Sequence, residues 1–124
     1  MFEKLGPTHV RTSWGFEVKW RRSATQIYVE YREGDHVLRY DNTPNATAWG
    51  GPLFSILPDY VDHWLQPFAS ETIEPRKKKN VIENMAAALD FLGVSTNVID
   101  SEGGIVAEFE QPGWAWKSEE WLNA

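Results

Sequence analysis

The chain has 124 residues, a formal net charge of −6 at pH 7, 42% hydrophobic residues and no cysteine. These values fit a single globular domain over residues 1–124 and exclude disulfides, thiolate nucleophiles and cysteine-based metal sites. The acidic balance argues against a duplex nucleic acid partner, because Lys and Arg supply most of that affinity. No segment reaches the ~18 uninterrupted apolar residues of a membrane span, and we expect a cytoplasmic protein with no membrane partner.

Three short segments are the first predicted elements. Apolar and polar residues alternate from Trp14 to Trp20 and from Ile27 to Tyr31, and a third segment, His36 to Tyr40, carries Leu38 and Tyr40 on its inner face. This alternation is typical of strands with one buried face, and it places Trp14 on that face. The turn residues Glu33-Gly34-Asp35 separate the second segment from the third. The pattern therefore predicts a three-stranded antiparallel meander.

The middle of the chain is less regular. Asp41 to Pro52 shows no periodicity, and long connections of this kind are often functional. Leu53 to Leu57 is predicted to be a short strand. Pro58 to Leu65 is predicted to be a short helix that ends before Pro67, because its apolar residues are spaced to form one face.

The clearest predicted helix runs from Pro75 to Leu92, with Pro75 in its first turn and Gly93 as its C-terminal cap. Its apolar stripe consists of Val81, Ile82, Met85, Ala86, Leu89 and Leu92. Two further strands, Val94 to Ile99 and Ile105 to Phe109, follow. The predicted fold class is therefore α+β, with an antiparallel sheet of five or six strands and one long helix packed across one face.

Negative charge and tryptophan are concentrated at the end of the chain. In residues 100–124 six carboxylates accompany one lysine, a net charge of −5, whereas residues 1–99 carry −1. Aromatic side chains anchor protein interfaces and carboxylates steer basic partners toward them. The predicted partner-binding residues are Glu108, Glu110, Trp114, Trp116, Glu119, Glu120 and Trp121. In the competing interpretation the tryptophans close the core and the carboxylates provide solubility.

Other candidate residues carry weaker patterns. Trp49 precedes a glycine pair and is either the tip of a binding loop or a plug for the core. Asp59 and His63 are spaced to share a helix face beside Asp62, a pattern that can bind a metal. A surface or capping role fits this cluster better, so neither a metal site nor a cofactor is predicted.

A run of four basic residues, Arg76-Lys77-Lys78-Lys79, lies in the first turn of the predicted long helix. Positive charge at this end opposes the helix dipole, so some compensation is expected. We expect pairing with Glu71, Glu74 and Glu83 on a solvated face. A contact with an anion or an acidic partner is the alternative interpretation.

Residues 58–99 resemble small cytoplasmic immunity proteins of bacterial polymorphic-toxin systems. The resemblance rests on Trp64 and Pro67, then a helix with Arg76, Val81, Ile82, Met85, Ala88 and Leu89, then Phe91-Leu92-Gly93-Val94 leading into a strand. It covers about a third of the chain. It implies a non-enzymatic inhibitor that binds a cognate toxin, often a basic nuclease or another cytotoxic enzyme, and blocks its active site.

Two alternative functions compete with inhibition of a basic toxin. One is a small-molecule-binding or catalytic domain with a pocket between sheet and helix, finished by His63 or Asp62. Its pocket would be lined by Trp14, Trp20, Trp49 or Trp64. The other is an assembly subunit that dimerises through its apolar C-terminal segment.

Overall fold

The computed structural model describes residues 1–22, 27–42, 54–110 and 113–123. Within these ranges the protein is α+β, as predicted, with a five-stranded antiparallel sheet, a second sheet of four strands and one α-helix. Buried residues of both sheets and of the helix form one continuous apolar cluster. Among the helices of the described ranges, none combines the length and the apolar character that a membrane span requires.

The first sheet contains the predicted meander and two strands that precede it. Its strands are β1 (Phe2–Gly6), β2 (His9–Thr12), β3 (Phe16–Arg22), β4 (Ile27–Glu33) and β5 (His36–Asn42). They pair in sequence order, each antiparallel to the next. Burial alternates along β4, where Ile27, Val29 and Tyr31 face the core. The sequence missed β1 because three of its five residues are exposed and no apolar alternation marks it.

The predicted position of Trp14 was wrong. β3 begins at Phe16, and Trp14 lies in the preceding turn with 67% of its surface exposed. Gly15 has a φ of 98°, a left-handed conformation that permits this turn. The hydroxyl of Thr12 also accepts a hydrogen bond from the Trp14 backbone N–H at 3.2 Å. The strand therefore begins at Phe16, two residues later than the apolar pattern indicates.

The second sheet is mixed. Its strands are β6 (Phe54–Ile56), β7 (Thr96–Ile99), β8 (Ile105–Glu110) and β9 (Gly113–Trp116), and they pair in that order. β6 and β7 are parallel, whereas the later pairs are antiparallel. The two strands predicted after the long helix thus belong to this sheet and do not extend the meander. Tyr40 of β5 connects the sheets by donating a hydrogen bond to the Ser55 carbonyl at 2.8 Å.

The predicted helix from Pro58 to Leu65 is a single 3₁₀ turn at Pro58–Tyr60. Beyond it, residues 61–65 form no helical turn. The N–H of Leu65 donates to the Val37 carbonyl of β5 at 2.7 Å, and His63 forms an isolated bridge with Thr72. Trp64 is buried against Tyr31. Docking onto the first sheet therefore outweighs the local helical pattern.

Helix α1 spans Pro75–Phe91, within one residue of the prediction. Gly93, with a φ of 81°, donates to the Asp90 carbonyl, and Val94 donates to the Leu89 carbonyl. These two bonds form a Schellman cap. The buried stripe of the helix is Val81, Ile82, Met85, Ala86, Ala88 and Leu89. Through this stripe α1 packs against β3 of the first sheet and β7 of the second.

We expect Leu89→Ala to lower the free energy of unfolding by about 2–5 kcal/mol, because it leaves a cavity where α1 meets the sheets. Urea unfolding measures this loss. Arg76→Ala, at an exposed position of the same helix, is the control and should change stability by no more than about 0.5 kcal/mol. Equal losses in the two variants would contradict the assigned core.

Candidate protein-interaction surface

Four aromatic rings form a continuous row, here called the tryptophan ladder: Phe109, Trp114 and Trp116 of the second sheet, and Trp121 of the 3₁₀ turn Glu120–Asn123. Phe109 and Trp114 meet edge to face with ring centroids 5.0 Å apart, and Trp114 meets Trp116 in the same way at 5.8 Å. Trp116 and Trp121 are tilted by 36° at 5.4 Å. Edge-to-face pairs of this kind add stability beyond the burial of their area. The ladder is therefore an ordered aromatic surface.

Strand pairing explains why the ladder forms. β9 is the edge strand of the second sheet and pairs only with β8, within the described ranges. Trp114 lies opposite Phe109, and Trp116 lies opposite Ala107, whose small side chain leaves room for the indole. The Trp116 indole N–H donates to the Glu83 carboxylate of α1 at 3.1 Å. The ladder thus occupies the face of the sheet that is turned toward the helix.

The three tryptophans are neither fully exposed nor sealed in the interior. Each is half-buried and packs against the core. The indole nitrogens of Trp114 and Trp121 are buried and have no hydrogen-bond partner in the part of the chain that the structure describes. The tryptophans therefore have both predicted positions at once: one side of the row closes the core, and the other side reaches the surface.

The carboxylates near the ladder do not all share its face. Glu119 is exposed and forms an ion pair with Lys79 of α1, whose ammonium lies 5.5 Å from the centre of the Trp116 ring. Glu108 is half-buried on the opposite face of β8, because successive residues of a strand alternate. The side chains of Glu110 and Glu120 lie outside the described part of the structure.

A cavity of about 200 Å³ lies beside Trp121. Its apolar wall includes Leu57, Ile99 and Val106, and two carboxylates, those of Asp59 and Asp100, also line it. Asp100 accepts hydrogen bonds from the backbone N–H groups of Glu102 and Gly104 at 2.9 and 2.8 Å, so its position is fixed. The fold thus brings Asp59, which the sequence associated with His63, next to the end of the ladder.

The predicted cluster of Asp59, Asp62 and His63 does not assemble. Since residues 61–65 are not helical, the spacing of four does not place Asp59 and His63 on a common face. His63 Nδ1 lies 2.6 Å from Asp62 Oδ1, and both side chains are exposed. Among the described residues no group of three or more His, Asp or Glu side chains has the geometry of a metal site. Trp49 lies outside the described residues.

The basic run finds other partners than those predicted. Lys77 pairs with Glu33 of β4 and Lys79 pairs with Glu119, so neither uses Glu71, Glu74 or Glu83. Glu71 instead lies 3.0 Å from His36. The expected local pairing on a solvated helix face is replaced by contacts that connect α1 to the first sheet and to the C-terminal segment.

A second cavity, of about 340 Å³, lies between the first sheet and the start of α1. Its lining is Glu33, His36, Trp64, Glu71, Thr72, Ile73, Glu74 and Lys77. The His36 ring stacks on Phe68 with centroids 3.8 Å apart. Sequence reasoning missed most of this site, because its residues come from three separate segments and no spacing connects them. Trp64 alone was anticipated as a pocket residue.

A partly buried hydrogen-bond network supports this cavity. The Tyr31 hydroxyl donates to Glu33 at 2.7 Å and accepts from the Asn84 amide at 3.0 Å. Burial and the bond to Glu33 raise the pKa of Tyr31. Burial also tends to raise the pKa of Glu33, but the hydrogen bonds from Lys77 and Tyr31 outweigh it and leave that pKa below its ordinary value. Glu33 is therefore held as a carboxylate.

Comparisons with known proteins give no match: no family model, no curated protein and no solved structure shows significant similarity to this chain.

The lowered pKa of Glu33 predicts a pH effect on stability. A carboxyl group with a lowered folded-state pKa stabilises the fold above its unfolded pKa of about 4.3, and this contribution is lost as pH falls through the folded value. We expect Glu33→Gln to lower stability at neutral pH and to flatten its decline between about pH 5 and pH 3. Urea unfolding at a series of pH values measures this. Glu102→Gln, which changes an exposed carboxylate, is the control, and identical pH profiles for the two variants would contradict the assignment.

Proposed function

We propose that this protein is a non-enzymatic inhibitor of immunity type, which acts in the bacterial cytoplasm by binding and occluding a cognate basic toxin. The observation that carries the proposal is the junction of the tryptophan ladder with the cavity beside Trp121. There, half-exposed aromatic surface meets the carboxylates of Asp59 and Asp100. The resemblance of residues 58–99 to immunity proteins supports the same function.

The geometry suits a basic side chain with an apolar stem. Lys and Arg bury their methylene groups along apolar surface while their charged ends reach a carboxylate. The cavity of about 200 Å³ offers both features, with Val106 and Trp121 in its wall and two carboxylates near them. A half-buried tryptophan that a partner's side chain can cover is the kind of residue that forms an interface hot spot.

The ion pair between Lys79 and Glu119 also fits a basic partner. Glu119 is about half exposed, and exposed ion pairs contribute only about 0–1 kcal/mol. A cation of the partner can therefore replace Lys79 at little cost. The net charge of −5 in residues 100–124 would accelerate the encounter, and high salt should slow it.

The direct test takes the protein encoded by the neighbouring gene as the candidate toxin. Co-expression should restore growth of cells that produce that protein, and the two should co-purify. If this chain neither protects the cells nor binds the purified neighbour, the proposed function is wrong.

The assigned surface has its own test in the same complex. We expect Trp121→Ala to raise the Kd by about 30-fold or more, the effect of losing a hot spot of ~2 kcal/mol. Trp20→Ala is the matched control, because Trp20 is also half-buried and its indole nitrogen has no partner among the described residues, but it lies on β3. Binding is measured below the unfolding temperature of both variants. Equal weakening of binding in the two variants would contradict the assignment of this surface.

The steering role of the carboxylates is separable from the aromatic contact. Asp59→Lys should slow association and weaken its salt dependence. Asp35→Lys is the matched control, because it makes the same charge change in the exposed turn between β4 and β5. Association rates at two salt concentrations distinguish them. Equal rates for the two variants would remove Asp59 from the interface.

A second candidate function is small-molecule binding at the cavity beside Trp64. The cavity of about 340 Å³ lies between sheet and helix, where a ligand site was predicted, although Trp14 and Trp20 do not line it. With seven tryptophans, intrinsic fluorescence should respond to a bound ligand in a screen of common cofactors and metal ions. His36→Asn should abolish any such response, since His36 lines the cavity. A screen without any response would rule out this candidate.

A further inference from the structure

The turn that follows β7 holds the Asp100 carboxylate in a fixed position. Its Oδ1 accepts the backbone N–H groups of Glu102 and Gly104 at 2.9 and 2.8 Å. The backbone closes the same turn, because the Asp100 N–H donates to the Gly104 carbonyl at 2.9 Å. The other oxygen, Oδ2, accepts no hydrogen bond from the residues that the structure describes. One oxygen of this carboxylate is therefore fixed by the protein, and the other can bind a ligand.

Gly104 leaves the space beside Oδ2 open. Unlike Gly103, whose φ is 84°, Gly104 does not have a left-handed backbone, so its own conformation does not require glycine. An added Cβ at this position would lie 2.8 Å from Asp100 Oδ2, a distance at which the two atoms overlap. The feature that requires glycine here is therefore the position of the Asp100 carboxylate. Gly104 is a positioning residue for the oxygen that can bind a ligand.

The surroundings of this carboxylate favour a cation. Asp59 and Asp100 both line the cavity beside Trp121, and no Lys or Arg is among its described lining residues. Lys117 lies close, since its backbone N–H donates to the Val106 carbonyl at 2.6 Å, but it is not part of the lining. The cavity therefore combines two negative charges from separate segments, and a positively charged group of a ligand complements them.

The aromatic wall of the cavity favours a guanidinium over an ammonium group. The Trp121 ring is half-buried and lines the same cavity as the two carboxylates. A guanidinium is planar, is weakly hydrated and stacks on aromatic rings, and its five N–H donors can reach two acceptors at once. An ammonium group is a compact and strongly hydrated charge. An arginine side chain therefore matches the carboxylates and the indole together, whereas a lysine matches the charge alone.

We propose that the cavity beside Trp121 binds an arginine side chain of the partner. The guanidinium lies on the Trp121 ring and donates to Asp100 Oδ2 and to the Asp59 carboxylate, and Gly104 keeps Oδ2 accessible. The apolar wall covers the methylene groups of the arginine. This inference rests on the proposed inhibitor function, because it names the side chain by which the basic partner is recognised.

The test titrates the full chain with Nα-acetylarginine amide at constant ionic strength. NMR spectra should show saturable shifts of the Trp121 indole N–H and of the Glu102 and Gly104 amides, which report on the Asp100 carboxylate. Nα-acetyllysine amide should bind at least about threefold more weakly, and the uncharged citrulline analogue should not saturate. No binding of the arginine probe at about 10 mM, or equal binding of the arginine and lysine probes, would overturn the proposal.

A charge-removing variant assigns the contact. Asp100→Asn keeps a side-chain oxygen that can accept the Glu102 and Gly104 N–H groups, so the turn is retained while the charge is lost. It should weaken binding of the arginine probe by at least about tenfold. Asp35→Asn, in the exposed turn between β4 and β5, is the control and should not weaken it. Undiminished binding by Asp100→Asn would overturn the proposal.

The positioning role of Gly104 has a separate readout. Gly104→Ala should displace Asp100 Oδ2, so this variant should bind the arginine and lysine probes with equal affinity. Gly6→Ala is the control, because its added Cβ would lie 4.0 Å from the His9 Cβ, an ordinary contact, and it should keep the preference for arginine. An unchanged preference in Gly104→Ala would overturn the proposal.

The probe experiments use this protein alone, so they separate the arginine site from the proposed function. If the neighbouring protein binds and the arginine probe does not, the arginine site is wrong and the inhibitor function stands. If the arginine probe binds as expected and the neighbouring protein does not, the inhibitor function is wrong and the arginine site stands.

Discussion

The packing of α1 against both sheets is the constraint on which the rest of the structure depends. The helix contacts β3 and β7, which belong to different sheets, and its buried stripe lies in the one cluster that all three elements share. A direct link between the sheets is the hydroxyl of Tyr40, which donates to Ser55 and accepts from Leu57 N–H. Because burial of apolar area is the main stabilising term in folding, the helix holds the sheets in their relative position.

Polar contacts along the two flanks of α1 then fix the surfaces beside it. On one flank Lys77 and Asn84 reach Glu33 and Tyr31 of the first sheet, and this network forms one side of the cavity near Trp64. On the other flank Glu83 accepts from Trp116 and Lys79 pairs with Glu119. These pairs are partly exposed, so they contribute orientation more than stability. The basic run thus positions both candidate sites.

The tryptophans differ in what they do for the fold. The tryptophans of the ladder are half-buried and close the core, so a partner that binds them uses a surface already held rigid by packing. Trp14 is mostly exposed, and its indole contributes little to the core.

Local patterns in the sequence determined the elements whose burial follows a simple period. Alternation fixed most of β3, β4 and β5, and the stripe with Pro75 and Gly93 fixed α1 to within one residue. Tertiary contacts decided the rest. Residues 61–65 do not continue the 3₁₀ turn as a helix because Trp64 is buried and Leu65 bonds to Val37, and Trp14 is exposed because Gly15 turns the chain. The proximity of Asp59 and Asp100 to Trp121 could not be predicted from the sequence either. Contacts between distant segments form only when the two sheets pack on the helix.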